Sequence, residues 1–369
     1  MLEDLEELKE IRHDLHKIPE IAMAERKTRG YIERYIGNNA VSTKITHNSE
    51  LGLVAMKVNG DNYPAIAFRA ELDALPIKDT KSVSYCSEHE GMCHACGHDV
   101  HMAILLKLIK FLDTERLKVN LVYVFQAGEE VYAGAKKLSR ELTNYDIAFM
   151  YSLHITPNLP VGYYSLSSDV MLAAALMAEV EVKLKQGHIA EKTDFLKVLS
   201  TIESFQKQYN NEDRIFKVTN IETNGYYNVT PSKLKLLINF RGVNIEEVTL
   251  DYQNFIRDLS EKLTVNSDII SKYPALKNDK KLSELTRALF EKRYGRSYVL
   301  KCPFLMSSDD FSYYGLTLEG IKTCYFFIGS YLGDDIEVHT ENFDVNEQCL
   351  YYGYDALKTV VSFINNKIE

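Results

Sequence analysis

Five short runs rich in β-branched and aromatic residues, at 51–58, 65–69, 121–126, 147–154 and 323–329, recur along the chain with segments of helical periodicity between them. This alternation constrains the fold more than any other feature. Strands separated by helices cannot pair as simple hairpins; they line up as a mixed, largely parallel sheet covered by helices. The helical segments are 2–15, with Leu2, Leu5, Leu8, Ile11 and Leu15 on one face, then 28–36, stopped near Gly37, then 100–112, 134–142 and 349–364. The middle of the chain follows another rule. Strands at 178–184, 215–222, 233–241 and 268–273 are interleaved with helices at 194–208 and 246–263. That order, β-α-β-β-α-β, is the split pattern of a ferredoxin-like unit. The expected fold class is therefore α/β, with a catalytic α/β/α domain at 1–169 and 279–369. An α+β domain at 170–278 is inserted between two of its strands.

A chain of 369 residues exceeds the size at which one core stops growing, which agrees with two domains. The net charge of −9 argues against nucleic acid as a partner, since such partners need clustered Lys and Arg. No run approaches the roughly 18 apolar residues of a membrane span. The start, MLEDLEELKE, is acidic and amphipathic, unlike a signal peptide, so a cytoplasmic protein is expected. Six cysteines are few for this length and read as thiols or metal ligands rather than bridges. Cys93 and Cys96 form a C-x-x-C with no second copy to complete a four-thiolate zinc site. His98 and Asp99 follow at once, which suits a catalytic metal site better than a redox pair.

Polar residues stand at four strand ends. The run 65–69 leads to Glu71 and Asp73, 121–126 leads to Glu129 and Glu130, 147–153 ends at His154, and 323–329 leads on to His339. Ligands of open α/β sheets bind outside the carboxyl ends of the strands, so these groups can converge. Cys96 and His98 precede the helix at 100–112, whose N-terminal dipole favours a thiolate. One thiolate, three imidazoles and two adjacent carboxylates serve one metal with donors to spare, or two metals sharing a bridging ligand. Two cations roughly 3.5–4 Å apart polarise a carbonyl and activate water together. Adjacent glutamates divide the labour, one coordinating and one taking the water's proton. His13 and His16 resemble a metal pair but have no adjoining carboxylate or cysteine motif, and read as structural. His94 and His101 flank the central motif and read as its support.

Together these residues resemble the aminoacylase/carboxypeptidase group of co-catalytic metallopeptidases, in its bacterial amidohydrolase branch. The similarity covers nearly the whole chain. It runs from Arg12-His13-Asp14-Leu15-His16 through Arg69-Ala70-Glu71-Leu72-Asp73 and His94-Ala95-Cys96-Gly97-His98-Asp99 to Glu129-Glu130 and His154. Asn228-Val229-Thr230-Pro231, Asp309-Asp310-Phe311-Ser312 and His339 follow. The resemblance implies Cys96, His98, Glu130, His154 and His339 as ligands of two divalent metal ions (Zn, Mn, Co or Ni), with Cys96 bridging. It implies Glu129 as general base, Asp73 as the group that orients a ligand imidazole, and His188 as the stabiliser of the oxyanion. Asn228 and Arg241 fall where this group lines its substrate site, and the inserted domain corresponds to its lid and dimerisation surface, implying a homodimer. In this chain the lid motif reads Lys185-Gln186-Gly187-His188-Ile189-Ala190-Glu191-Lys192, without the first glycine and the Pro-His that often follow in the group. The activity implied is deacylation of an N-acyl amino acid, with the N-acetyldiaminopimelate deacetylases of lysine biosynthesis as the nearest members of the branch. Hydrolysis of hippurate or an N-acetylcysteine-type substrate is the rival, and a metal-dependent binding protein without catalysis is the alternative of another class.

Overall fold

The strand Asn120–Gln126 reads NLVYVFQ, and every one of its residues is buried. So is every residue of Ala65–Glu71 beside it. Strands covered on both faces need continuous rather than alternating apolar sequence, which is why these runs stand out. In the computed structural model, which describes residues 2–188, 195–261 and 263–367, they occupy the centre of an eight-stranded sheet. The order is Lys44–Ser49, Gly52–Lys57, Asn120–Gln126, Ala65–Glu71, Ile147–Thr156, Lys322–Gly329, Tyr164–Leu166 and Val299–Lys301. Ala65–Glu71 runs parallel to Asn120–Gln126 and to Ile147–Thr156, which runs parallel to Lys322–Gly329. Four carboxyl ends therefore open on one edge of the sheet. The helix His98–Leu112 has buried residues nearly throughout and packs against Leu2–His16, Arg26–Asn39, Gln348–Asn365 and the strand Ala65–Glu71.

Four elements of this sheet and its cover are absent from the sequence reading. Lys44–Ser49 (KITHNS) is a polar edge strand with no apolar alternation, held by antiparallel pairing to Gly52–Lys57. Tyr164–Leu166 and Val299–Lys301 are three residues each, too short to show a period. The helix Lys280–Tyr294 is mostly polar, burying Leu282, Ser283, Thr286 and Phe290. Its start is fixed by Asp279, whose side chain accepts from the Leu282 N–H at 2.8 Å.

The chain divides into two compact units: Met1–Asp169, Asn278–Pro303 and Tyr313–Glu369 form the first, and Val170–Lys277 with Phe304–Ser312 the second. The second unit holds a four-stranded antiparallel sheet in the order Ile215–Thr223, Lys233–Gly242, Ala174–Lys183, Thr264–Tyr273. Lys233–Gly242 buries alternate residues, Leu234, Leu236, Ile238 and Phe240, against Val198 and Ile202 of the helix Phe195–Tyr209 and Val248, Tyr252, Phe255 and Leu259 of the helix Ile245–Ser260. Asn244 caps the latter helix by accepting from the N–H groups of Glu246 and Glu247. The ferredoxin-like order read from the sequence is the order observed. Of the expected helix at 194–208, Asp194 lies outside the described residues, as do Ile189 to Lys192 of the lid motif. No helix among the described residues is long and apolar enough to cross a membrane.

Candidate metal centre

Gly97 decides the local geometry. It caps the helix His98–Leu112 at φ 84°, and a Cβ there would meet Ile155 Cγ1 at 2.6 Å. Only glycine both adopts that conformation cheaply and lets the Cys96–His98 turn approach the strand carrying His154. His98 is then the first helical residue. Glu129 and Glu130 open a short helix after the strand Asn120–Gln126, behind Gly128 at φ 68°. His339 lies on a loop at φ 63°, where its N–H donates to Ala95 O at 2.7 Å and ties that loop to the motif.

These elements bring the five expected donors into one cluster. Cys96 Sγ lies 3.5 Å from His154 Nε2 and 3.4 Å from His339 Nε2. His339 Nε2 is 3.3 Å from Glu130 Oε1, and His98 Nε2 is 3.9 Å from the same oxygen. Ligand atoms bound at about 2.0–2.3 Å around a tetrahedral ion stand roughly 3.3–3.8 Å apart, so the spacing fits donors around a common cation. Two triads share the thiol: Cys96 with His98 and His154, and Cys96 with Glu130 and His339. His98 Nε2 is buried without a hydrogen-bond partner, an orphaned lone pair of the kind a cation satisfies. Glu129 sits beside them, buried, with Oε2 4.0 Å from His98 Nε2.

Hydrogen bonds fix the imidazole tautomers. His98 Nδ1 donates to the backbone oxygen of Asp73 at 2.8 Å, and His154 Nδ1 to Ile155 O at 2.7 Å, so both present an Nε2 lone pair. The orienting acceptor for His98 is thus the Asp73 carbonyl rather than its carboxylate, whose Oδ1 is 3.6 Å away. The carboxylate instead accepts from the Glu130 N–H at 2.9 Å and anchors the Glu129–Glu130 turn. Burial would lower the His98 pKa, but Asp73, Glu71 and Glu130 outweigh it and raise it to about 10. That negative potential attracts a proton, and would attract a metal ion in its place. His154 moves the other way, down to about 3, through burial and the neighbouring His101 and His98 imidazoles. The helix dipole does not make Cys96 acidic as expected: burial, then Glu130 and Glu129, push the thiol well up. Only a cation at the site reverses that balance.

A model of the peptidase family M20/M25/M40 matches residues 67–362. The chain belongs to this family. As an M20-family member it is an amidohydrolase, a hydrolase acting on amide bonds. An N-acetyldiaminopimelate deacetylase of Limosilactobacillus fermentum is 27% identical over 380 residues, spanning 97% of either chain. Another, of Priestia megaterium, is 35% identical over 187 residues, half of either chain. Among solved structures, the YXEP protein of Bacillus subtilis, described as a dinuclear metal binding peptidase from the M20 family, superposes with a TM-score of 0.79 at 22% identity. That match covers 99% of both chains.

The remaining expected residues of this M20-family chain lie in the second unit. His188 is exposed on the short strand Gly187–His188, paired with Val229–Thr230, and Asn228 is the exposed residue before that strand. Arg241 donates from Nε to Asn239 Oδ1 at 3.2 Å and from Nη1 to Met306 O at 2.5 Å, so part of its guanidinium holds the unit's own chain.

His13 and His16 do not lack carboxylates or a cysteine in space. His13 Nε2 is 2.6 Å from Glu347 Oε1, with the ring stacked on Tyr85. His16 Nδ1 is 2.8 Å from Asp99 Oδ2, its Nε2 3.2 Å from Asp79 Oδ2 and 4.0 Å from Cys93 Sγ. Burial opposes charge on His16, yet Asp99 and Asp79 raise its pKa to about 10. Arg12 completes this network through Asp99, Asp344 and Glu347. Asp99 therefore ties the helix His98–Leu112 to the helix Leu2–His16. His94 is buried with neither ring nitrogen hydrogen-bonded.

Sequence reasoning missed Glu25. It is buried, accepts from the Gly128 N–H at 2.9 Å, and is pushed up to about 7 by burial and by Asp73. A lone glutamate in the turn before a helix carries no spacing signal that links it to a site 100 residues away.

Proposed function

We propose that this M20-family amidohydrolase removes the acyl group from an N-acyl amino acid, and that its substrate is an N-acetyldiaminopimelate. The observation that carries the reaction is the cluster of Cys96, His98, Glu130, His154 and His339, built around the buried His98 and opening to solvent at His339, with Glu129 at its edge. These five residues would hold two divalent ions, with Cys96 in common. Such a pair polarises the acyl carbonyl and lowers the pKa of the attacking water.

Glu129 takes the proton from that water as its oxygen bonds to the carbonyl carbon, then delivers the proton to the amine nitrogen as the C–N bond breaks. The products are the free carboxylate and the amino acid. Asp73 keeps the Glu129–Glu130 turn in place through the Glu130 N–H, and its carbonyl keeps the His98 lone pair aimed at the centre. His188 is assigned to the developing oxyanion, and Asn228 and Arg241 to the substrate's amino-acid end, on their motif positions. The substrate assignment is supported by two near full-length relatives with that name, at 26–27% identity.

The test is a panel of N-acetyl-diaminopimelate, hippurate and N-acetylcysteine offered to the purified chain loaded with zinc, manganese, nickel or cobalt. Fastest release of acetate from N-acetyl-diaminopimelate is expected. Preference for hippurate or N-acetylcysteine replaces the substrate, and no turnover with any metal contradicts the reaction.

A further inference from the structure

Beyond the residues given a role so far, the carboxyl end of the strand Ile147–Thr156 has an unusual anchor. Its pairing with Ala65–Glu71 stops at Arg69↔Ser152, two residues short of His154. Beyond that point the strand keeps its partner on the other side, where Ile155 aligns with Ile328. The Ile155 N–H, left without a strand partner on the first side, donates instead to His101 Nε2 at 3.0 Å. A nitrogen that accepts from a backbone N–H carries no proton, so the proton of the His101 ring is on Nδ1. There Glu71 Oε2 accepts it at 2.7 Å. Glu71 is in turn paired with Arg69, whose Nε donates to Gln126 Oε1 at 2.9 Å. All four side chains are buried.

We infer that His101, oriented by Glu71, is a positioning residue that aims the metal ligand His154 by replacing the missing rung of the sheet. Both backbone polar groups of Ile155 serve His154. The N–H, held by His101, fixes the peptide that joins the two residues. The carbonyl accepts from His154 Nδ1 and points Nε2 toward Cys96 Sγ, 3.5 Å away. The Ile155 side chain lies where any Cβ on Gly97 would fall, so the same residue also seats the Cys96–His98 turn. Glu71 and His101 could themselves pass for ligands with His98. Their polar atoms are already engaged by Arg69, by each other and by Ile155, which leaves no free donor pair for an ion. The inference rests on the proposed centre, in that His154 must bind metal for its aim to matter.

Two substitutions separate the halves of the contact. Gln at this position can place its side-chain oxygen where Nε2 stands and still accept from Ile155. Asn reaches only as far as Nδ1, keeping the Glu71 contact and leaving the Ile155 N–H unpaired. Each loses one buried hydrogen bond, so a purely structural role predicts similar effects from both. The experiment measures zinc affinity by chelator competition and the visible spectrum of the cobalt-loaded protein, with melting temperature as a fold control. His101→Asn should bind metal about 10–100-fold more weakly and shift the cobalt bands, whereas His101→Gln stays within about threefold of wild type. Equal losses in both variants, or wild-type affinity in His101→Asn, overturn the inference while leaving the metal centre intact. A wild-type chain that binds no metal overturns the centre and this inference together. Should His101→Asn fail to fold, nitrogen-15 histidine spectra of the wild-type protein decide: His101 protonated on Nδ1 alone supports the inference, and a proton on Nε2 overturns it.

Discussion

His16, Asp79 and Cys93 bring an imidazole, a carboxylate and a thiol within ligand distance of one another, as Cys96, His98 and His154 bring two imidazoles and a thiol. Both groups lie in the first unit, and both include a residue of the same C-x-x-C. They differ in what already satisfies them. In the first, Lys81 Nζ stands 2.7 Å from Asp79 and 3.6 Å from Cys93, Arg12 is buried against Asp99, and each ring nitrogen of His16 meets a carboxylate. The chain supplies the positive charge, and the cluster is closed. In the second, Glu130 and Glu129 stand beside imidazoles and a thiol, Arg69 is engaged by Glu71 and Gln126 instead, and His98 Nε2 has no hydrogen-bond partner. A His/Cys/carboxylate cluster is thus a candidate metal site only when the chain leaves one of its donor atoms unsatisfied.

The comparison is sharpened most by removing the proposed base from the open cluster. Glu129→Gln should lower kcat by about 10²–10⁴-fold with metal content unchanged by elemental analysis; an active variant removes Glu129 from the mechanism. The closed cluster answers to stability instead. Arg12→Met leaves Asp99, Asp344 and Glu347 without their shared cation, and should destabilise by about 3–5 kcal/mol in denaturant titrations. The variant, where folded, should bind as much metal as wild type.

Histidine 16 gives the closed cluster a pH signature. Its folded pKa of about 10 lies above the ordinary 6.5. Its contribution is therefore fully present below pH 6.5 and lost as pH rises through 10. Melting temperatures followed from pH 6 to 10 should fall in wild type, and fall less in His16→Gln. Parallel curves would mean that His16 is not held as a cation.

The smallest effect belongs to Glu25. Raised to about 7 against an ordinary 4.5, it favours folding while protonated, so its contribution falls as pH rises from 4.5 through 7. In metal-free protein at pH 8, Glu25→Gln should gain about 1–3 kcal/mol, because glutamine keeps the acceptor for Gly128 without the charge. A loss of stability would place a counter-cation beside Glu25.

The open cluster was legible in the sequence because its members sit in short local motifs at the ends of strong apolar strands. Cys96-Gly97-His98 and Glu129-Glu130 announce themselves by type and adjacency. The closed cluster was not legible: His16 meets Asp79, Cys93 and Asp99 across 63 to 83 residues, and no local spacing records that. The same holds for Ile155 and His101, where a side chain completes a sheet edge 54 residues away. In the fold, continuous apolar runs such as NLVYVFQ and the alternation of Lys233–Gly242 read directly as strands. The polar strand Lys44–Ser49 and the weakly apolar helix Lys280–Tyr294 did not, because pairing holds the first and the second buries two polar residues, Ser283 and Thr286, beside Leu282 and Phe290.

The contrast between open and closed clusters is tested most directly by metal stoichiometry in a pair of cysteine variants. The account predicts two divalent ions per chain in wild type and in Cys93→Ser, and loss of metal in Cys96→Ser. Metal retained by Cys96→Ser but lost from Cys93→Ser would contradict it.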